Sequence, residues 1–432
     1  MALALVAVTG VWALTGVPST SRFLPLLVAL GLSILSPPAA LASVALAVPL
    51  TFWDVPLGGA RFSPLELSIG LTVVGYGTRC LVGWRAWATT SFVRQFMYPM
   101  TVVAPAAALF LVASLSLATI VDPTHLRESL REYRLVIVEP LVFFGIARLA
   151  MRDVAVRRLV LASFLSMGVV ISAVAIGQFV TETNVVPAEG VDRSRATYPH
   201  PNNLAFYLER VAMLGSGIGY PYGRGRPLAI IVAIVTSAGV AVTLSRGAML
   251  GMTIAWVSLL FLRRSVRWWV SLPLAAVAIV SLIALAGDRV SSVGGTGQLP
   301  TRFLIWQSSV AMALDRPLLG VGMDQFLYQY WPRYVSPAGW PERFTSHPHN
   351  LILDTWLRLG VLGVAVFGWL SFAVTRVVRS TSNDLVRRNG PVALGSVAAL
   401  VTSVAHGMVD NAFFLPDLAV MTWLLIAFIE TE

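Results

Sequence analysis

Two short segments of this 432-residue chain combine residue types suited to acid–base and anion chemistry. The first is Ser346-His347-Pro348-His349-Asn350-Leu351. Pro348 keeps His347 extended, and Asn350 is a good helix N-cap, so His349 is expected immediately before a helix start. Neutral imidazole near pH 7 can take a proton from a hydroxyl, the task of a general base. A His-x-His pair can also bind a metal. That reading is disfavoured because no carboxylate or cysteine cluster accompanies it. Purely structural histidines, capping and packing, are the third reading.

The second segment, Thr243-Leu244-Ser245-Arg246-Gly247-Ala248, interrupts an apolar stretch from about 227 to 262. Two helices of roughly 16 residues rise about 24 Å each, short of the ~30 Å hydrocarbon core. The turn therefore sits somewhat below the membrane surface with Arg246 in it. An arginine at that depth is costly and should face a polar cavity or an anion, unless it snorkels to lipid headgroups. A related pattern runs from Arg193 through Arg195 and His200 to Asn203, and it too ends at the start of a helix. Three helices, beginning near Asn203, Arg246 and Leu351, thus offer unpaired N–H groups and positive dipole ends, a ready site for an anion. Arg195 and Arg246 suit a phosphate-bearing ligand, and Arg302 could reach the same anion.

These segments must be held by a membrane bundle. The chain is 56% hydrophobic and only 12% charged, against about a quarter charged in a water-soluble protein. The expected fold is an all-α, polytopic transmembrane helical bundle of about 12–14 spans, forming one membrane domain over residues 1–432. Spans are expected at 2–17, 22–36, 38–53, 64–79, 99–121, 134–151, 158–180, 202–220, 227–243, 246–262, 268–286, 350–375, 391–409 and 412–430. The first is read as a retained helix and not a signal peptide. Every basic residue is Arg, and the net charge is +10. The arginines cluster at block edges with no continuous basic face, so nucleic acid is not an expected partner. Counted alternately, the clusters place both termini in the cytoplasm. The three chemical segments and a long external loop over 287–349, rich in aromatics and expected to carry short helices against the membrane interface, then lie outside. Cys80 stands alone. The acidic residues assigned to that side, Asp288, Asp324, Glu342, Asp354, Asp410 and Asp417, show no close pair and read as solvated or capping. No charge is placed in mid-span.

The order of motifs resembles the O-antigen ligase and polymerase superfamily of membrane glycosyltransferases. It runs Ser245-Arg-Gly-Ala248, Arg302 with Trp306, Pro317-Leu-Leu-Gly-Val-Gly322, His347-Pro-His-Asn350, then Leu359-Gly-Val-Leu-Gly363. The match covers about 195–365. The resemblance implies a metal-independent, inverting enzyme of C-type glycosyltransferase architecture with no cofactor, in the bacterial inner membrane. Its donor would be a glycan on undecaprenyl diphosphate, and its acceptor lipid A core or a second lipid-linked glycan. Carried over, Arg246 and Arg302 hold the diphosphate with Arg195 nearby, and His349 is the catalytic base. His347, Asn350, Ser245, His200 and Asn203 support them. A polysaccharide polymerase, a protein O-oligosaccharyltransferase and a lipid-linked oligosaccharide flippase are the other readings. A flippase would favour a charged central cavity and an internal repeat, and neither is visible in the sequence.

Overall fold

The computed structural model describes residues 23–57, 59–82, 100–188, 191–219, 226–262, 301–384 and 390–432. Helices dominate, joined by two small antiparallel hairpins, Val55–Leu57 with Ala60–Phe62 and Val186–Ala188 with Val191–Arg193. The helices used below are α1 (Pro64–Val82), α2 (Leu126–Glu132), α3 (Val154–Thr181), α4 (Pro201–Gly219), α5 (Arg226–Ala241), α6 (Arg246–Leu262), α7 (Thr301–Asp315), α8 (Leu351–Asp384), α9 (Pro391–Gly407) and α10 (Pro416–Thr431).

Local chemistry explains several boundaries. Ser63 and Glu66 form a reciprocal capping box at the start of α1, with Ser63 N donating to Glu66 Oε2 (2.7 Å) and Glu66 N to Ser63 Oγ (3.1 Å). Asp153 caps α3 by accepting from Ala155 N, and Glu182 ends it in the left-handed region. Pro391 and Pro416 occupy the first turns of α9 and α10, where a missing N–H costs nothing.

α4 sits at the centre, its residues buried almost throughout, against α3, α5, α6 and α9. Small residues permit the closest approach, with Gly217 of α4 lying directly on Gly395 of α9. One contiguous core runs from Leu41 to Phe428. Among the described residues, four helices are long and apolar enough to cross a membrane: Pro64–Val82, Thr101–Thr119, Val154–Thr181 and Leu351–Arg379. Five shorter apolar helices accompany them among the described residues. The spans expected at 2–17 and 268–286 lie outside those residues.

One expectation fails inside α4. Glu209 and Arg210 lie mid-helix and are fully buried. They hydrogen-bond to neighbouring elements and lock them together. Arg210 donates to Ser403 Oγ and to Ala412 O, both at 2.7 Å, and Glu209 Oε2 lies 2.9 Å from His406 Nδ1. An unpaired charge there would be prohibitive, whereas a paired one adds helix-to-helix specificity.

The segment after Pro317 has a structural purpose. α8 breaks at Gly360, whose φ of 71° and ψ of −174° are non-helical. The helical bond from Val361 N to Leu357 O is replaced by two bonds across the break. Val361 N donates to Pro317 O (2.8 Å), and Val321 N donates to Leu357 O (2.7 Å). The 317–322 turn therefore splices the 351–359 piece of α8 to the preceding segment, which has its own small core around Ile305, Met312, Phe326 and Tyr330.

A Cβ at Gly360 would collide with the Leu318 carbonyl, whereas one at Gly368 meets nothing within 4 Å. Gly360→Ala should therefore lower the unfolding midpoint in detergent and Gly368→Ala should not. Strain of about 1–3 kcal/mol is expected at the first site and a gain of roughly 0.5–1 kcal/mol at the second.

Candidate active site

Three helix starts meet at one short connection, residues 408–411, between α9 and α10. Asn350 caps α8 by accepting from Ile352 N and Leu353 N (both 3.0 Å), and its Nδ2 donates to Met408 O (2.9 Å). At the start of α6, Gly247 packs against His406 and Val409 so closely that a Cβ would overlap the imidazole. At the start of α4, Asn202 Nδ2 donates to Asp410 Oδ2 (2.8 Å). Each helix is preceded by a non-glycine residue in the left-handed region, His349 before α8, Leu244 before α6 and Ala196 before α4. Such positions persist where the surroundings over-determine the backbone.

Asp410 is the hub. It is 7% exposed, and its Oδ1 accepts from Asn411 N (2.9 Å). His349 Nδ1 stands 3.0 Å from the same oxygen and His347 Nε2 3.3 Å from it. Burial alone would raise this carboxyl. The hydrogen bonds from His347 and His349 outweigh it and hold Asp410 well below the usual carboxylate range. An ionised carboxylate only accepts, so the shared protons sit on His349 Nδ1 and His347 Nε2. His349 Nε2 is then left with a lone pair. Thr345 Oγ1 stands 3.3 Å from that nitrogen and also reaches His347 O at 3.1 Å. The hydroxyl can therefore turn to the carbonyl when another arrives. Trp306 Nε1, donating to Pro348 O (2.9 Å), pins the strand that carries both histidines.

Positive charge lies alongside. Arg302 Nη1 donates to Val409 O, next to Asp410. Arg246 is the half-buried first residue of α6, on the helix end packed against Val409. Ser245, buried, places its Oγ 3.5 Å from Ala248 N at the same end.

Other sequence expectations need correction. Arg195 turns away to Asn184 Oδ1 (2.6 Å). Arg193 takes the inner position, donating from Nε to Thr243 O and from Nη2 to Asn202 Oδ1, both at 2.7 Å. The α4 cap is His200 and not Asn203: His200 Nδ1 accepts from Asn202 N at 3.1 Å. Asp410 is neither solvated nor merely capping, and Asp354 and Asp417 are buried as well. The premise that no carboxylate accompanies the histidines also fails, because it arrives from 61 residues away. His347, His349 and Asp410 each present a ligand atom, all within 4.8 Å of one another, so a divalent ion is chemically conceivable there. Asp410, Arg193 and Asn202 were the residues not singled out. The sequence signal was present in Asp410-Asn411, a lone polar pair between two apolar blocks, but only the fold brings it to the histidines.

The tautomers are testable. Nitrogen-15 spectra of histidine-labelled protein should show His349 protonated at Nδ1 and His347 at Nε2 at neutral pH, and Asp410→Asn should scramble both.

A comparison with curated proteins finds no match. Residues 231–368 match the family model described as O-antigen ligase. That region contains Arg246, Arg302, His347, His349 and Asn350, while Asp410 and the 193–203 segment lie outside it. This match supports a place for the chain in the O-antigen ligase and polymerase superfamily.

Proposed function

We propose that this chain is a membrane glycosyltransferase that moves a glycan from undecaprenyl diphosphate to an acceptor hydroxyl at the outer face of the bacterial inner membrane. The acceptor is lipid A core, and the reaction inverts the anomeric configuration without a metal. One observation carries the reading: a buried carboxylate orients the His349 imidazole beside an arginine that is hydrogen-bonded to the neighbouring carbonyl.

The chemistry balances as follows. The acceptor hydroxyl gives its proton to His349 Nε2 while its oxygen bonds to the anomeric carbon. The bond from that carbon to the diphosphate breaks, and its electron pair leaves with the phosphate oxygen. Arg246, Arg302 and the gathered helix N-termini stabilise the charge that develops there. Asp410 keeps the imidazole in the reactive tautomer and stabilises the imidazolium once it forms, as a carboxylate does for a hydrolase histidine. His347 shares the carboxylate and is a positioning residue, as are Asn350, which fixes the 408 carbonyl, and Ser245 at the α6 turn. Arg195, held by Asn184, has no part in this mechanism.

In lipid vesicles supplied with an undecaprenyl-diphosphate glycan, His349→Ala should reduce transfer by about 10²–10⁴-fold. Arg246→Ala should reduce it by about 10²–10³-fold. Transfer should persist after chelation with EDTA. Unchanged turnover in both variants, or strict dependence on an added divalent ion, contradicts the mechanism. Offering lipid A core in one arm and a second lipid-linked glycan in the other separates ligase from polymerase, and transfer only to the latter overturns the ligase assignment.

The same assay tests Asp410. Because its carboxyl is held low, ionisation of Asp410 supports the site at neutral pH and is lost only as pH falls through that depressed value. Asp410→Asn removes the charge at every pH and should cost at least about 10²-fold at pH 7. Equal rates for the native protein and Asp410→Asn at pH 7 would remove the carboxylate from the mechanism.

A further inference from the structure

A second concavity borders the chain just after Asp410, where Phe414, Leu415 and Pro416 line it. It encloses about 300 Å³ and is lined by Phe52, Glu66, Glu128, Glu132, Asp324 and Phe414, among others. That volume is at the small end of ligand sites. Phe414 follows Asp410 by four residues, and its backbone N–H donates to Asn411 Oδ1 (2.9 Å). The Arg358 guanidinium lies over the Phe414 ring, 4.9 Å from its centroid, and binds Glu132. Arg358 is seven residues into α8, about 10 Å along the axis from the end that carries His349.

The lining combines two kinds of surface. Most of its charge is already paired. Arg134 joins Glu66 (2.7 Å), Arg358 joins Glu132, and Arg61 joins Asp54 (3.1 Å). What remains is acceptor capacity and the exposed side chain of Arg131. Glu128 Oε2 and Glu132 Oε2 are shielded from solvent and have no hydrogen-bond partner among the described residues. The Glu132 side chain is only 12% exposed. Beside them stands the ring of Phe52, 36% exposed and set edge-on to Tyr198.

These carboxylates do not form a cation cage. Among the described residues, the one cluster whose ligand atoms come close enough to share an ion is His347, His349 and Asp410, none of which lines this cavity. The cavity instead offers spaced acceptors and an aromatic face. A pyranose matches that pattern, with hydroxyls around its edge and an apolar face of C–H bonds. The acidic lining would also repel a diphosphate, so the carrier end of a donor belongs on the arginine side.

We infer that this cavity is a subsite for a neutral sugar residue of the acceptor glycan, beside the proposed transfer site, an assignment that rests on the glycosyltransferase reading. Glu128 and Glu132 accept hydrogen bonds from sugar hydroxyls, and Phe52 covers the apolar face of the ring. Burial, opposed by Arg358, pushes the Glu132 carboxyl up to about 7. A hydroxyl donor would favour its ionised form.

The test uses the full chain in lipid nanodiscs and the methyl glycosides of glucose, galactose and mannose, read by saturation-transfer NMR. At least one glycoside should bind the native protein, and its affinity should fall about tenfold in Glu128→Gln and in Phe52→Ala, as for loss of one good contact. Neither substitution removes an ion pair seen in the fold. Calcium chloride alone is the control for the competing occupant. Absence of binding by all three glycosides overturns the assignment, as does unchanged affinity in both variants. Saturable calcium binding that is lost in Glu128→Gln, with no glycoside response, overturns it too. His349→Ala separates the two proposals: glycoside binding that survives while transfer is lost supports both. Transfer that survives in His349→Ala removes the catalytic assignment and, with it, this cavity's role as an acceptor subsite.

Discussion

A carboxylate withdrawn from water must be surrounded by donors, and that requirement at Asp410 organises this end of the molecule. Desolvating an ionised carboxyl without partners is prohibitive. Here four donors answer it: the imidazoles of His347 and His349, the Asn202 amide and the backbone N–H of Asn411. They arrive from the starts of α8 and α4 and from the 408–411 connection itself. Removing the charge would therefore loosen several elements together, because each is oriented by the same two oxygens. The left-handed backbone of His349, uncommon but tolerated for histidine, is held by this network.

The helices behind the site make the arrangement rigid. α4 is pinned to α9 and to the loop before α10 through Arg210, and to α9 through Glu209 and His406. His406 also stacks on Phe206, centroids 3.7 Å apart, and presses against Gly247. A buried ionic network thus packs directly against the proposed diphosphate end of α6. Its hydrogen bonds run between elements of the bundle itself, which argues for positioning and against a charged transport cavity. From the other direction, the Gly360 splice and the Trp306 bond fix the 345–350 strand against the preceding segment. Catalytic groups built on such supports are held to the narrow tolerance that transfer chemistry requires.

Local features of the fold were readable in the sequence wherever the determinant was local. The Asn350 cap, the Ser63–Glu66 box, the paired short helices around the Ser245 turn and the Pro317–Gly322 turn all follow from a few adjacent residues. Helix limits at 246–262 and 391–407 match apolar periodicity closely. What could not be read was pairing at long range. Asp410 looked solvated because its side-chain partners lie 61 to 208 residues away. Arg195 looked better placed than Arg193 because side-chain direction in the short hairpin is set by tertiary contact. Glu209 and Arg210 were invisible as a buried pair because their partners lie about 200 residues away.

The central claim is that a carboxylate-held imidazole faces a diphosphate gripped by arginines. A cryo-electron microscopy map of the protein with undecaprenyl diphosphate bound in nanodiscs tests it most directly. Phosphate density within hydrogen-bonding reach of both Arg246 and Arg302, with His349 Nε2 turned toward the space beyond the leaving oxygen, is the expected result. Phosphates held elsewhere, or an Arg246 guanidinium on the far side of α6 from the His349 ring, would contradict it.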